Sequence, residues 1–147
     1  EYSYLMRSKF GLILKDEGDN ALINNFLELL YTQKKDYHRS LRMLLNQNEN
    51  LLGDKFESWF KDYKKRINKE ENLTQSLSLM KQFNPKYILR NYLAEVAIRE
   101  AEDLKKYEEI DILFRLLEKP FDPHIGYESY DSEPPDWAKN LELSCSS

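Results

Sequence analysis

Apolar residues recur every three or four positions along most of the chain, a spacing that places them on one face of an α-helix. The clearest case lies in residues 55–70, where Phe56, Phe60, Tyr63 and Ile67 follow at intervals of four, three and four. Sustained alternation of apolar and polar residues is missing, and so are the Asn-Gly and Asp-Gly turns typical of β-hairpins. We therefore predict an all-α fold.

Short polar stretches divide this pattern into about six or seven packed helices. Gly18 is predicted to form the turn after the first helix, and Asp36 to cap the third. Pro85 suits the first turn of the sixth helix, because its missing N–H would be unbonded there anyway. This sixth helix has the broadest apolar face and is expected to be the most buried. The predicted segments are Tyr2–Leu14, Asn20–Gln33, a helix that starts after Asp36, 55–70, 72–83, Lys86–Glu102 and Tyr107–Glu118.

The last 28 residues differ from the rest. Four of the five prolines lie there, together with four aromatic residues, and their net charge of −5 leaves +1 for residues 1–119. We predict a helical domain over residues 1–119 and an extended, Pro-rich, aromatic and acidic C-terminal tail over residues 120–147. The tail is too aromatic for a plain linker and is expected to pack across the helical body, with one turn near residues 136–139.

Composition and motifs exclude several function classes. A net charge of −4 argues against nucleic acid as a partner, and the basic run Lys64–Arg66 is interpreted as a solvated helix face or a docking surface for the acidic tail. His38 and His124 are isolated, so we predict no metal site. All four glycines are isolated as well, so no phosphate-binding loop can form. No run of 18 apolar residues is present, which predicts no membrane partner. The chain itself thus shows no catalytic residues and no cofactor site.

Two features are candidates for function. Arg90 and Asn91 interrupt the apolar face of the sixth predicted helix, either as a surface strip or as a contact to a neighbouring domain. Cys145 is the only cysteine and lies two residues from the carboxyl terminus. A prenylation box needs its cysteine at the fourth position from the end, so that role fails. The residues alone leave both an incidental cysteine and an accessible, redox-active thiol open.

Several stretches resemble the selenoprotein O (SelO) family. The segment "NPKYILRNYLAEVAIREAED", followed by "LLEKPFD" and "PPDWAKNLELSCSS", is similar to the C-terminal end of that family. "KFGL" at Lys9–Leu12 and "DYHRSLRML" at Asp36–Leu44 resemble its upstream helical part. The resemblance covers essentially the whole chain and is weakest between Asn46 and Asn72.

The resemblance implies an enzymatic activity and places the catalytic residues outside this chain. SelO proteins have a kinase-like fold and transfer AMP from ATP to Ser, Thr or Tyr hydroxyl groups of other proteins. Their phosphate-binding loop, nucleotide-binding lysine and Mg-binding residues lie N-terminal to the region matched here, so ATP and Mg are expected in the full-length protein and not in this chain. A position of the terminal motif is redox-active in the family, and Cys145 matches it. Family members occur in bacterial cytoplasm, which we expect here, and alternatively in mitochondria.

The chain opens at Glu1, within a predicted helix, which we interpret as a piece of a longer protein. Its expected partners are the kinase-like core of the same protein and, through the whole enzyme, protein substrates. The piece alone is expected to be inactive, and it could dimerise through apolar helix faces left uncovered. The alternative function is a helical protein–protein interaction module without a role in AMP transfer, which the ten tyrosines favour.

Overall fold

The computed structural model describes residues 1–48 and 52–138, and within those ranges it contains seven α-helices and no β-strand. The predicted all-α fold is confirmed. In the same ranges, no helix is long and apolar enough to cross a membrane. The helices are α1 (Tyr2–Lys9), α2 (Asp19–Thr32), α3 (Tyr37–Met43), α4 (Glu57–Ile67), α5 (Leu73–Phe83), α6 (Asn91–Asp103) and α7 (Glu108–Glu118).

The chain divides into two compact units, Glu1–Pro85 and Lys86–Ser147. The first contains α1 to α5. The described part of the second contains α6, α7 and a C-terminal segment with two short 3₁₀ turns, Glu128–Asp131 and Asp136–Ala138. The second turn confirms the one expected near residues 136–139. The predicted domain boundary after residue 119 differs from this division after Pro85, and it stays a prediction.

Helix α4 supplies the centre of the first unit. The predicted stripe is confirmed, because Phe60, Tyr63 and Ile67 are all buried on one face of α4, and Phe56 is buried just before it. The Trp59 ring stacks on Tyr63 with centroids 5.2 Å apart. The Tyr63 hydroxyl donates a 3.1 Å hydrogen bond to the carbonyl of Phe10, so even the polar atom of this buried ring is satisfied.

Helix α1 ends five residues earlier than predicted. Gly11 has a φ of +71°, a conformation that glycine adopts at no steric cost, and its Cα lies so close to α5 that an added Cβ would meet the Met80 side chain and the Ser76 carbonyl at 3.0 Å. Gly18 lies in the turn before α2, as predicted, and is the N-cap of that helix. The close approach of α5 to Gly11 decides where α1 ends. The spacing of apolar residues around Gly11 does not reveal this contact.

Asp36 caps α3 as predicted. Its side chain accepts a 2.8 Å hydrogen bond from the backbone N–H of Arg39, which satisfies one of the N–H groups left unbonded at a helix start. Asn72 caps α5 in the same way through the N–H of Gln75. Both caps follow from a short polar side chain placed directly before an amphipathic run.

Helix α6 starts later than predicted, at Asn91, and residues 86–90 are not helical. The reason is a long-range pairing, because the backbone N–H groups of Lys86 and Tyr87 both donate to the carbonyl of Pro120, at 2.7 and 3.0 Å. The placement of Pro85 in a first helical turn is therefore wrong. The expectation that this helix is the most buried is also wrong, since α6 buries two residues and α4 buries five.

Candidate functional site

The residues singled out from the sequence are dispersed. Cys145 lies outside the described residues. The prediction that Arg90 and Asn91 lie inside an apolar helix is wrong. Arg90 is the N-cap of α6 and is half-buried, and Asn91 is the first residue of α6 and is exposed. The Arg90 carbonyl accepts the first hydrogen bonds of the helix, from Leu93 and Ala94. A domain contact by Arg90 and Asn91 stays a prediction.

The first unit contains a buried ion cluster that the sequence analysis missed. Arg66 of α4 donates from Nε to Asp19 at 2.6 Å and from Nη1 to Glu70 at 2.8 Å. The three side chains are only 7%, 3% and 1% exposed. Buried charges of this kind are stable only when each is paired and hydrogen-bonded, and all three are.

This ion cluster, Arg66–Asp19–Glu70, holds the loop between α1 and α2. Arg66 donates from Nη2 to the carbonyl of Leu14 at 2.7 Å, while the N–H of Leu14 donates to Glu70 at 3.1 Å. The N–H of Asp16 donates to the second oxygen of Asp19 at 3.0 Å. The loop backbone is thus bonded on both sides, by buried charges from α2, from α4 and from just after α4.

The electrostatics of the ion cluster favour a structural role. Burial by itself lowers the pKa of Arg66, but the hydrogen bonds and charges of Asp19 and Glu70 outweigh it, and the net direction is upward. A guanidinium held in its charged form by two carboxylates cannot exchange a proton at neutral pH. The arrangement therefore fixes a loop, and Arg66 supplies neither an acid nor a base.

The basic run is not the continuous surface that its sequence suggests. Arg66 is buried, and three neighbouring lysines pair with acidic residues on the surface: Lys61 with Glu57, Lys65 with Asp62, and Lys69 with Asp16. These pairs place an acidic side chain beside each of the three lysines. One feature of the sequence indicates that Arg66 is buried and paired. Arg66 lies on the apolar face of Tyr63 and Ile67, and four residues before Glu70.

In the second unit, a segment that we call the C-terminal strap, residues 120–138, follows α7. It begins at Pro120, whose carbonyl accepts the two hydrogen bonds from residues 86 and 87. The Tyr87 ring packs edge-on against His124 with centroids 5.2 Å apart, and its hydroxyl lies 3.4 Å from both the N–H and the carbonyl oxygen of His124. Tyr87 is 2% exposed, so this first contact is a buried one.

Two further contacts attach the strap to α7 and α6. The Tyr130 hydroxyl donates a 2.8 Å hydrogen bond to Glu109 of α7. Burial first, and then the hydrogen bond and charge of Glu109, raise the pKa of Tyr130 to about 12. Trp137 packs edge-on against Tyr92 of α6, with centroids 6.2 Å apart and ring planes at 90°.

The described residues do not fit a metal–nucleotide site. In residues 1–48 and 52–138, no group of three or more His, Cys, Asp or Glu side chains is placed to hold a metal ion. The glycines stay isolated: Gly11 is packed under α5, and Gly53 and Gly126 lie in separate turns with positive φ. A phosphate-binding loop needs successive N–H groups that converge on one anion, which these positions do not provide.

Comparison with known proteins identifies what the chain resembles. A family model described as protein adenylyltransferase SelO matches residues 1–119. A protein nucleotidyltransferase YdiU of Aliivibrio salmonicida is 44% identical over 156 residues, which cover 99% of this chain and 32% of the relative. Proteins of the same name from Vibrio atlanticus (40% identical, 99% and 32% covered) and Burkholderia multivorans (38% identical, 97% and 30% covered) are also similar. The chain spans about a third of the length of the curated relatives it matches.

Proposed function

Since this chain belongs to the SelO protein adenylyltransferase family, we propose that it forms the C-terminal helical part of an enzyme that transfers AMP from ATP to Ser, Thr or Tyr side chains of proteins. The observation that carries the proposal is the match itself, which runs along nearly the whole chain at 44% identity to a relative named as a protein nucleotidyltransferase. The chain covers 32% of that relative, and a catalytic part fits in the remainder.

We infer that this chain has a structural role in the enzyme. A buried ion cluster that fixes a loop, an aromatic core around α4 and a strap over α6 and α7 are devices that hold backbone in place. In AMP transfer a hydroxyl oxygen bonds the α-phosphorus of ATP and pyrophosphate leaves. We assign ATP, Mg and this chemistry to the kinase-like part of the family protein, which is the principal partner of this chain. Nucleic acid and membrane are not partners in this proposal, and the bacterial cytoplasm is its setting, with mitochondria as the alternative.

The reaction type is tested on the full-length protein with two labelled forms of ATP. Label at the α-phosphate should appear covalently on a protein substrate, while label at the γ-phosphate should not, because pyrophosphate carries it away. Transfer of the γ-label would identify a kinase and overturn the proposal. Retention of the label through denaturing electrophoresis controls for tightly bound ATP, which denaturation releases.

Cys145 is the second part of the proposal, as a redox-active thiol that pairs with a cysteine outside this chain. Its support is the resemblance of the terminal motif, in which Cys145 matches the redox-active position of the family. Mass spectrometry of the oxidised full-length protein should find Cys145 in a disulfide. A free thiol under those conditions, together with unchanged activity of Cys145→Ser with and without reductant, would contradict it.

An interaction module without a role in AMP transfer is the second candidate, and one surface favours it. Ile110 and Phe114 lie one helical turn apart on α7 and follow its N-cap, Tyr107. Tyr107, Ile110 and Phe114 are 56%, 39% and 68% exposed. Exposed apolar stripes of this kind mark protein contacts. The isolated chain could also dimerise through this stripe, which concentration-dependent sedimentation would detect, and Phe114→Ser should abolish. A module would bind its partner equally well with the rest of the enzyme removed.

A further inference from the structure

An open groove of about 650 Å³ lies in the first unit, where the end of α2 meets the start of α3. Its apolar surface comes from Leu27, Leu30 and Tyr31 of α2 and from Tyr37 of α3. Volumes of about 300–1,000 Å³ are typical of ligand-binding sites. We call it the α2–α3 groove, and its size suits a few side chains of a peptide.

The floor of the α2–α3 groove is fixed by packing. Leu30 is 5% exposed and belongs to the core, and the Tyr37 hydroxyl donates to the sulfur of Met6 at 3.8 Å. Tyr31 differs, because it is 86% exposed. Tyrosine is enriched among the residues that anchor protein contacts. The groove therefore combines a rigid apolar floor with one aromatic side chain that is almost fully in solvent.

Two lysines, Lys34 and Lys35, complete the lining and make it basic. Both are exposed, and neither has an ion pair within residues 1–48 and 52–138. Residues 31–42 carry four basic side chains and one acidic one, a net charge of +3, in a chain whose net charge is −4. The acidic one, Asp36, caps α3 through the N–H of Arg39. Charges of one sign at a groove favour a partner of the opposite sign.

The backbone of Lys34 is unusual and supports a role for its side chain. The N–H of Lys35 donates to the carbonyl of Leu30 at 2.9 Å, an ending of α2 that turns the chain through one residue of positive φ. That residue is Lys34, with a φ of +51°. Glycine is the usual residue at such a position, because any other residue strains the backbone there. Strain of this kind is found mostly where a side chain has a function.

We propose that the α2–α3 groove is a docking site for protein substrates, which bind it through a short acidic segment. One apolar or aromatic side chain of that segment packs on the floor beside Tyr31, and its carboxylates pair with Lys34 and Lys35. The inference rests on the proposed function, because the partner is taken to be a protein that receives AMP. It adds where such a protein is held and which chemistry selects it.

A substrate suits this groove better than a permanent partner does. Exposed ion pairs contribute little free energy each and are screened by salt, so two of them give a weak and reversible contact. A few side chains also bury much less than the roughly 800 Å² per partner of a stable interface. Weak binding is what a substrate needs, since it has to leave after AMP is transferred.

The experiment measures binding of a synthetic peptide to the full-length protein that carries this sequence. The probe is a short fluorescein-labelled peptide with one phenylalanine flanked by aspartates and glutamates, and fluorescence anisotropy gives its Kd. One control peptide has serine in place of the phenylalanine, and another has lysines in place of the acidic residues. The acidic peptide should bind more tightly than both, and less tightly as salt is added.

The variants are Lys34→Gly, the double variant Lys34→Gly with Lys35→Gln, and Tyr31→Ser. We expect the Kd to rise about threefold for Lys34→Gly and about tenfold for each of the other two. The Tm of Lys34→Gly should not fall, because glycine adopts a φ of +51° without strain. Lys105→Gly is the matched control, since Lys105 is an exposed lysine with a φ of +54° in the second unit, and its Kd should match the parent.

A peptide extended by an acceptor tyrosine connects docking with the reaction. With ATP labelled at the α-phosphate, the double variant should show a higher KM for this peptide and an unchanged kcat. No binding of the acidic peptide by the parent, equal Kd values in parent and double variant, or equal binding of the lysine peptide would overturn the inference and leave AMP transfer intact. Groove-dependent binding by a full-length protein that transfers no AMP would overturn the proposed function, and with it the assignment of the partner as a substrate.

Discussion

Arg66 is the residue that joins the buried charges of the first unit to the loop between α1 and α2. Its guanidinium is the shared partner of two buried carboxylates and of the Leu14 carbonyl. Arg66→Ala would leave Asp19 and Glu70 buried without their cation, and we expect a loss of about 3–5 kcal/mol in the free energy of unfolding. Urea denaturation monitored by Trp59 fluorescence measures it.

Lys65→Ala is the matched control for that change. Lys65 is the neighbouring cation on α4, but its side chain is 78% exposed and its pair with Asp62 lies in solvent. We expect a change of less than about 1 kcal/mol. Equal effects of the two substitutions would show that the ion cluster does not hold the loop.

Substitution by alanine should destabilise the protein strongly at Gly11 and only slightly at Gly18. Gly11→Ala adds a Cβ at 3.0 Å from Met80 and Ser76 and forces a non-glycine residue to a φ of +71°, which should cost about 2–4 kcal/mol. Gly18→Ala meets only the end of the Asp16 side chain at 3.3 Å in an ordinary conformation, so its effect should stay within about 1 kcal/mol. Thermal unfolding of both variants separates them, and a tolerated Gly11→Ala would contradict the close approach of α5.

Tyr130 predicts a pH dependence of the strap. Its hydroxyl faces Glu109, with Tyr127 and Glu100 also near enough to act, and its pKa of about 12 lies above the usual value of 10.0. Folding therefore favours the protonated form. The stabilisation is complete below pH 10 and is lost as the pH rises from about 10 to about 12.

Absorbance of tyrosinate measures this directly. Tyr130→Phe should remove one late-titrating group, and Glu109→Gln should bring the pKa of Tyr130 down towards its usual value, because it removes the negative charge beside the hydroxyl. If the late-titrating group that Tyr130→Phe removes keeps the same pKa in Glu109→Gln, the bond to Glu109 does not form in solution.

At the scale of elements, helices could be predicted from the sequence and several of their ends could not. The stripe on α4 and the cap at Asp36 depend on residues close in the chain, and both are confirmed. The end of α1 and the start of α6 depend instead on Met80 and Pro120, far along the chain. The ion cluster was missed for the same reason, since Asp19 and Arg66 are 47 positions apart.

The cap of α3 gives the prediction at this scale. Asp36→Ala removes the acceptor of the Arg39 N–H and should destabilise the first unit by about 1 kcal/mol, whereas Asp36→Asn keeps an oxygen in place and should cost less. Equilibrium unfolding of the two variants compares them directly. Equal losses would mean that charge, and not the hydrogen bond, is what the helix start requires.

At the scale of the whole molecule, the family could be recognised from its terminal motifs, and the structure adds how the chain is held together. The motif "NPKY" is predicted to start a helix, yet its Lys86 and Tyr87 lie before α6 and donate to the carbonyl of Pro120, where the strap begins. Residues 139–147, which include Cys145, lie outside the described residues. The proposed function therefore has to be tested on the full-length family protein, which contains the kinase-like part as well as this chain.

The central claim is that this chain supports AMP transfer without performing it. The most direct measurement compares the purified 147-residue chain with the full-length protein that carries it, each incubated with Mg and ATP labelled at the α-phosphate and with the same protein substrates. Covalent label is expected only in the sample with the full-length protein. Label transferred by the 147-residue chain alone would contradict it.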